Sequence, residues 1–212
     1  FRRVLFRSVK LTTIYYGSDI IRYTVQTFGC KVNQYESASV AKAMDEHGYE
    51  KTDDIFTADI VIINSCSVTE NSDKKAKQLI NRIKSSDPMK IVVLTGCFPQ
   101  AFPETASKLS ADIVTGTEHK DSIADMIDVF TGNKVKQVAI PPRPVKKQYE
   151  KQKNADMGKT RAFIKIEDGC DRFCSYCIIP TARGSVRSRS LQDITEHKDS
   201  IADMIDVFTG NK

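Results

Sequence analysis

This chain of 212 residues has no long apolar run and only three histidines. Its buried-type apolar runs, residues 60–63 and 91–94, are far shorter than the roughly 20 residues that a membrane-spanning helix needs. A secretory h-region is also missing, so the sequence predicts a cytoplasmic protein with no membrane partner. Six cysteines stand beside only three histidines. In a chain of this size without an export signal, six cysteines indicate metal binding or catalysis rather than three disulfides.

The composition is that of a soluble globular protein. Apolar residues make up 40% of the chain and charged residues 28%. The length predicts one or two domains, at roughly 100–200 residues per domain. The formal net charge of +5 is compatible with an acidic partner but does not identify one.

Two segments stand apart from the rest. Residues 195–212 repeat residues 117–134 letter for letter. This unit is shorter than the roughly 20–50 residues of solenoid repeats, so the second copy is interpreted as a splice or assembly fault or an engineered duplication. Residues 3–8 resemble a translated sequencing adapter, so residues 1–8 are set aside, and residues 1–20 are treated as a non-native or disordered extension. A natural basic extension is the alternative.

Strand and helix patterns alternate along the following part of the chain. The patterns predict strands at residues 21–28, 59–63, 90–95 and 112–114. They predict helices at residues 34–47, 70–84, 101–109 and 120–130. Such alternation is typical of βα units around a parallel sheet. The fold class predicted for residues 21–139 is therefore an open α/β domain with a flavodoxin- or Rossmann-like parallel sheet.

A basic segment with three prolines follows at residues 140–160. It is interpreted as a solvated linker that is extended near its prolines, with a strip that contacts phosphate groups as the alternative. Residues 161–166 are then predicted to form a new strand, which opens a second domain at residues 161–194.

Three cysteines share one loop after this strand, in the pattern C-x3-C-x2-C. They are Cys170, Cys174 and Cys177. Thiolates bind soft metals, and iron–sulfur clusters above all. Three thiolates can hold three corners of a [4Fe–4S] cluster and leave the fourth iron open for a substrate or cofactor. Structural zinc would need a fourth ligand, which no nearby Cys or His supplies, and a disulfide would leave one cysteine unpaired.

The other three cysteines each follow a predicted strand. They are Cys30, Cys66 and Cys97. Ligands of an open parallel sheet bind at the carboxyl ends of its strands, so three such ends can bring three thiolates together from distant positions. The sequence therefore predicts a second open-corner cluster here, with buried inert cysteines as the alternative.

The loop motif resembles the signature of the radical S-adenosylmethionine (SAM) superfamily, with the aromatic Tyr176 before the last cysteine. Its surroundings, residues 161–189, are similar to those of the methylthiotransferase branch, as is the three-cysteine domain ahead of it. Asn33 and Glu36 fit the positions of an Asn and a Glu in that family. Lys-Val-Asn at residues 31–33 resembles the branch that acts on N6-threonylcarbamoyladenosine at position 37 of tRNA. The branches that act on isopentenyladenosine-37 of tRNA or on ribosomal protein S12 are the alternatives.

The resemblance implies two [4Fe–4S] clusters and SAM as cofactors. It implies that the cluster on Cys170, Cys174 and Cys177 binds SAM and, once reduced, generates a 5′-deoxyadenosyl radical, while the other cluster carries the sulfur to be transferred. The implied partners are the tRNA anticodon loop, whose single-stranded bases can enter a pocket, and a one-electron reductant. Tyr176 is expected to line the adenine pocket or, alternatively, to pack within the loop.

The segment after the cysteine loop carries less information. Arg183, Arg187 and Arg189 are expected either to contact phosphate or to be solvated.

The resemblance implies a partial (β/α) barrel for the second domain, and residues 161–194 supply only its first strand and cluster loop. The chain is therefore expected to be an incomplete, truncated copy with little or no activity, or a non-catalytic cluster-binding fragment.

Overall fold

The computed structural model describes residues 20–68, 70–142, 148–150 and 163–196. Most of the predicted extension, most of the predicted linker and nearly all of the second copy lie outside these residues. What the sequence predicts for those parts therefore stays a prediction.

Strands and helices alternate through the described residues, as the sequence predicts. The strands are β1 (Arg22–Phe28), β2 (Glu50–Lys51), β3 (Ile60–Ser65), β4 (Ile91–Gly96), β5 (Ile113–Thr115), β6 (Gln137–Ala139), β7 (Glu167–Asp168) and β8 (Arg187–Ser188). The helices are α1 (Lys31–Glu46), α2 (Glu70–Ser86), α3 (Cys97–Ala101), α4 (Pro103–Ser107), α5 (Ile123–Asn133) and α6 (Ile179–Arg183), with a 3₁₀ turn at Lys120–Ser122. No helix in this described part is both long enough and apolar enough to cross a membrane.

Six of the described strands form one parallel sheet in the order β2-β1-β3-β4-β5-β6. The chain passes to one side of β1 to form β2 and then returns to the other side to form β3. This reversal of strand order is the one found in flavodoxin-like sheets, which bind ligands at the carboxyl ends of the strands beside it. The predicted open α/β fold is therefore confirmed.

The core lies on both faces of the sheet, because successive side chains of a strand point to opposite sides. On β3, Ile60 and Ile62 pack in one cluster with α1 and α5, whereas Val61 and Ile63 pack in another with α2, α3 and α4. All four side chains are buried. A strand buried on both faces needs a continuous apolar run, which is why no alternation is visible in its sequence.

The predicted helix at residues 101–109 is replaced by two short helices, α3 and α4, which meet at Phe102. A proline disfavours a helical backbone at the residue before it, and Phe102, before Pro103, has φ −130° and ψ 62°. Pro103 then occupies the first turn of α4, where its missing N–H is tolerated. Because α3 begins earlier than predicted, Cys97 becomes its first residue.

The predicted strand at residues 161–166 is wrong for residues 163–166, the part of it that the structure describes. A short antiparallel pair, β7 with β8, follows instead. The carbonyl of Ile166 accepts one backbone hydrogen bond, from the N–H of Arg189 over 2.8 Å. Lys165 donates a hydrogen bond to the buried carboxylate of Glu36, so a buried ion pair rather than strand pairing holds this segment.

The segment of residues 163–196 packs against the sheet domain. Its helix α6 lies against α3, and the hydroxyl of Thr117 donates a hydrogen bond to the carbonyl of Ala182 over 3.2 Å. The Tyr149 hydroxyl also donates to the carbonyl of Lys165 over 2.8 Å. The two parts of the chain therefore share an interface next to the carboxyl ends of the strands.

Candidate functional site

Three cysteines lie at the carboxyl edge of the sheet. The strand register places Phe28 of β1 beside Ser65 of β3, and Ser65 beside Gly96 of β4. The cysteines that follow these aligned strand ends, here called the strand-end cysteines, are Cys30, Cys66 and Cys97. The sheet thus gathers three residues that the sequence places far apart.

The Cys66 thiol interacts with both Cys30 and Cys97. The Cys66 S–H lowers the pKa of Cys30 to about 5 and that of Cys97 to about 6. Hydrogen bonding to these two neighbours raises the pKa of Cys66. Cys66 and Cys97 are only 3% and 4% exposed, whereas Cys30 is exposed. The sulfur atoms of Cys30 and Cys97 therefore favour the thiolate form, which is the form that binds metals.

Buried amides hold the start of α1 against β3. The Cys30 sulfur lies 3.2 Å from Oδ1 of Asn33, and Nδ2 of Asn33 donates to Oδ1 of Asn64 over 3.1 Å. Asn64 Nδ2 in turn donates to the Asn33 carbonyl and to Ser37 Oγ, each over 3.0 Å. Both asparagines are fully buried. Because both amides are bonded on two sides, the network fixes where Cys30 stands relative to β3.

Gly96 is required where β4 turns into α3. Its φ of 103° lies in the region that L side chains rarely adopt. A Cβ atom here would collide with the carbonyl oxygen of Ser65 and with the side chain of Asn64. This close approach of the two strand ends places Cys97 next to Cys66.

A cavity of about 180 Å³ opens at the strand-end cysteines. The rest of its lining comes largely from residues 163–196. These lining residues include Asp168, Gly169, Ile178, Ile179, Ala182 and Arg183. The cavity therefore lies between the sheet domain and the segment that carries the other three cysteines, with apolar side chains, two carboxylates (Glu167 and Asp168) and the cation of Arg183 in its wall.

A buried carboxylate holds that segment against the sheet domain. Glu36 of α1 is fully buried and accepts hydrogen bonds from Lys120 over 2.5 Å, Lys165 over 2.9 Å and Arg183 over 2.7 Å. Arg183 also reaches the second Glu36 oxygen over 3.2 Å, which makes this pair bidentate. Since Lys120 belongs to the sheet domain and the other two cations to residues 163–196, one carboxylate joins the two parts.

Asp168 is a second carboxylate beside the first. It accepts hydrogen bonds from Lys165 and Arg183 over 2.9 Å and from Arg187 over 3.3 Å. Arg187 also lies 3.5 Å from Glu118. We call this set the Glu36 charge cluster, and its members are Glu36, Glu118, Lys120, Lys165, Asp168, Arg183 and Arg187.

Opposite charges keep the cluster ionised. Burial would raise the pKa of Glu36, but its three cations, Arg183 foremost, hold that pKa well below the ordinary value. Burial would likewise raise the pKa of Asp168, and the neighbouring Arg183 and Lys165 lower it instead. Burial would lower the pKa of Lys165, and the two carboxylates raise it. Each buried charge is therefore stabilised by its partners.

The other three cysteines, here called the loop cysteines, lie between β7 and α6. They are Cys170, Cys174 and Cys177. Cys174 is exposed and the other two are partly exposed. The N–H of Cys170 donates to the carbonyl of Gly184, and that of Cys177 to the carbonyl of Cys174, each over 3.0 Å. Tyr176 is 92% exposed, so it does not pack within the loop, and its place in an adenine pocket stays a prediction.

In the part of the chain that the structure describes, no three Cys, His, Asp or Glu side chains form a ready-made site for a metal ion. All six cysteines are free thiols. The donor chemistry fits an iron–sulfur cluster, because the strand-end cysteines present three thiols at one cavity beside a buried cation. Both ligand sets stay predictions.

The structure corrects the interpretation of three arginines. The sequence favours phosphate contacts or solvation for Arg183, Arg187 and Arg189, but all three are buried and paired with carboxylates. Arg189 pairs with Asp193 over 2.8 Å, and their spacing of four residues is a signal that the sequence contains. Arg183 and Glu36 are 147 positions apart, so no local pattern connects them.

Comparison with known proteins agrees with this arrangement. Residues 22–116, which include the strand-end cysteines, match the family described as "Uncharacterized protein family UPF0004". The "Threonylcarbamoyladenosine tRNA methylthiotransferase MtaB" of Thermotoga maritima is 42% identical over 182 residues, which cover 85% of this chain and 40% of that protein. The Bacillus subtilis protein of the same name is 36% identical over 84% of this chain and 40% of its own length.

The chain is similar to methylthiotransferases over most of its length. The resemblance seen around the cysteines and at residues 31–33 is thereby confirmed. A second group of methylthiotransferases is also similar: the "tRNA-2-methylthio-N(6)-dimethylallyladenosine synthase" of Syntrophobacter fumaroxidans is 32% identical over 84% of this chain and 40% of its own length. The chain spans about two fifths of the length of these curated relatives.

Proposed function

We propose that this chain is the cluster-binding part of a radical-SAM methylthiotransferase that adds a methylthio group to C2 of N6-threonylcarbamoyladenosine at position 37 of tRNA. The observation that carries the proposal is the convergence of the three strand-end cysteines at one cavity. Relatives named for this reaction reach 42% identity, whereas the first one named for dimethylallyladenosine reaches 32%. The threonylcarbamoyl substrate is therefore preferred.

Each cysteine group has its own ligand in this proposal. The strand-end cysteines hold one [4Fe–4S] cluster, and the loop cysteines hold a second, to which SAM binds with Tyr176 at its adenine. When bound, the clusters and SAM supply one-electron chemistry and the sulfur to be transferred. A one-electron reductant is the further partner.

The chain's own residues hold and shield these groups. The sheet register and the buried asparagines keep the strand-end cysteines at fixed spacing. Ile178 and Ile179 line the same cavity and limit the access of water. The exposed Cys174 and Tyr176 leave the second site open to a small molecule.

The anticodon loop of tRNA is the proposed macromolecular partner. Its bases are single-stranded and can enter a pocket between the two cysteine groups. The net charge of +5 is compatible with a polyanion.

A cytoplasmic location belongs to the same proposal. So does the division into a sheet domain at residues 21–139, a linker at 140–160 and the start of a partial barrel at 161–194.

Anaerobic reconstitution with iron and sulfide tests the ligand assignment. We expect about eight iron atoms per chain when two [4Fe–4S] clusters are loaded. Cys66→Ala and Cys174→Ala should each remove about half of the iron, from different clusters. Ser107→Ala, which loses a surface hydroxyl bonded to the carbonyl of Glu104, should load like the wild type. Iron near zero in the wild type would overturn both assignments.

Mass spectrometry of tRNA nucleosides tests the substrate. The complete gene is expressed in a host that lacks its own methylthiolation of threonylcarbamoyladenosine, and the 2-methylthio product is sought in digested tRNA. Product on dimethylallyladenosine, or on ribosomal protein S12, would overturn the substrate assignment. Loaded clusters without SAM cleavage or any product would favour a non-catalytic cluster-binding role.

A further inference from the structure

The Glu36 charge cluster contains one more positive than negative side chain. Its cations are Lys120, Lys165, Arg183 and Arg187, and its carboxylates are Glu36, Glu118 and Asp168. The side chains of all seven are at most 10% exposed. A surplus charge away from water is costly unless an opposite charge completes the site. The cluster is therefore suited to an anionic neighbour.

Arg183 is the cluster member that places a positive charge at the strand-end cysteines, whose cavity is also lined by the carboxylates of Glu167 and Asp168. Of the cluster's four cations, it is the one among the described residues that lines their cavity. Its Nη1 donates to Glu36 over 2.7 Å and to Asp168 over 2.9 Å, and its Nη2 donates to Glu36 over 3.2 Å. A planar guanidinium bonded to two carboxylates is held in one orientation.

Neutralising Glu36 does not by itself require Arg183. Lys165 already donates to Oε1 of Glu36 and Lys120 to Oε2. Asp168 likewise has a second arginine, Arg187, and a lysine as partners. The two carboxylates therefore position the guanidinium at the cavity. Their own charges are balanced by the other cations, Lys120, Lys165 and Arg187.

We propose, on the basis of the proposed function, that Arg183 is a positioning residue that holds a fixed positive charge at the group bound by the strand-end cysteines and raises its reduction potential. A group held by three thiolates is anionic, and reduction adds another negative charge. A cation in a water-poor surrounding stabilises the more negative form. Because α6 carries Arg183, the potential depends on the docking of residues 163–196 against the sheet.

Redox titration of the full chain tests this inference. The loop cysteines are changed to alanine, so that one cluster remains, and its reduced fraction is followed by electron paramagnetic resonance. Arg183→Gln should lower the reduced-to-oxidised ratio about tenfold at a fixed potential, a shift of about 59 mV in the midpoint potential.

Arg183→Lys keeps the charge and should stay within about twofold of the parent. Arg187→Gln is the matched control, because it removes a cation of the same cluster that does not line the cavity, and it should change the ratio less than Arg183→Gln.

Each outcome separates the two proposals. An unchanged midpoint in Arg183→Gln overturns the inference alone, as does an equal shift in Arg183→Lys or Arg187→Gln. A parent protein that holds no iron on the strand-end cysteines overturns the proposed function itself.

Should Arg183→Gln fail to fold, the double variant Glu36→Gln/Arg183→Gln removes both charges of the pair. It should still shift the midpoint downward, because Arg183 lines the cavity and Glu36 does not, and an unchanged or raised midpoint would overturn the inference.

Discussion

The two cysteine groups differ in what holds them in place. The strand-end cysteines come from three neighbouring parallel strands, whose register fixes their separation. The loop cysteines lie on one exposed segment that a two-residue strand pair and a few backbone hydrogen bonds hold. A sheet buried on both faces opens rarely, whereas an exposed loop opens easily. The fold alone therefore brings the first group to one cavity, and we expect the second to gain order from its ligand.

The largest expected effect comes from removing the contact that joins the two regions. Glu36→Ala leaves buried cations without their carboxylate and should lower the free energy of unfolding by about 3–5 kcal/mol. Urea denaturation measures this loss. Asp125→Ala breaks an exposed ion pair with His47 and should cost only about 0–1 kcal/mol. Equal losses in the two variants would show that Glu36 does not join the regions energetically.

Two glycines allow each cysteine group to be disturbed separately. Gly96→Ala forces a side chain into the Ser65 carbonyl at positive φ and should destabilise the sheet by about 2–3 kcal/mol. Gly169→Ala collides with the backbone of Ser185 and should reduce iron retention by the loop cysteines with a smaller loss of stability. Urea denaturation and iron content are measured for both variants.

Gly132→Ala is the control for these glycine variants. It lies in α5, and an added Cβ meets no atom within 4 Å. It should therefore stabilise the fold by about 0.5–1 kcal/mol, as expected for alanine in a helix. If Gly169→Ala destabilised the whole fold as much as Gly96→Ala, the difference between the two groups would be lost.

Thiol reactivity should distinguish the two groups in the iron-free protein. Cys66 is buried and Cys174 is exposed, so iodoacetamide should modify Cys66 at least about tenfold more slowly, since a buried sulfur reacts only after local opening. Peptide mass spectrometry after timed quenching measures both rates. In denaturing urea the two rates should converge. Equal rates in the folded protein would contradict a preassembled strand-end group.

Acidification gives the smallest expected effect. The pKa of Glu36 in the folded protein lies well below its ordinary value of 4.5, so the unfolded chain binds the proton first. Stability is therefore present above about pH 4.5 and is lost as the pH falls from there towards the folded pKa. Between about pH 5 and about pH 3.5, wild type should lose about 1 kcal/mol more than Glu36→Gln. Parallel curves from urea denaturation at several pH values would contradict this linkage.

Four of the six strands of the described sheet could be predicted because their signals are local, whereas β2 and β6, of two and three residues, were missed. Buried strands such as β3 and β4 are short apolar runs, and amphipathic helices separate them. Once the strands are known to be parallel, the rule that their carboxyl ends share one edge predicts where the three cysteines meet. The C-x3-C-x2-C spacing by itself marked the loop cysteines, and the family resemblance added SAM, the role of each cluster and the tRNA substrate.

The contacts between the two regions could not be predicted in the same way. Arg183 and Lys165 are buried because Glu36, more than a hundred positions away, is buried with them. A charged residue in a polar stretch normally indicates a solvated surface, and only the tertiary fold reverses that expectation. The short elements β7, β8 and α6 also depend on these distant contacts rather than on their own sequence pattern.

The position of the strand-end cysteines also determines which changes in chain length the protein can tolerate. Cys30 and Cys66 are separated by 36 positions and Cys66 and Cys97 by 31, yet only the aligned strand ends set their distance in space. An insertion in the loop before β3, or after α2, lengthens the chain at the opposite edge of the sheet and leaves the sulfur atoms in place. A single-residue deletion within β3 would exchange its two buried faces and withdraw Cys66 from its neighbours. The number of residues between the strand-end cysteines can therefore vary, whereas the number of residues in each strand cannot.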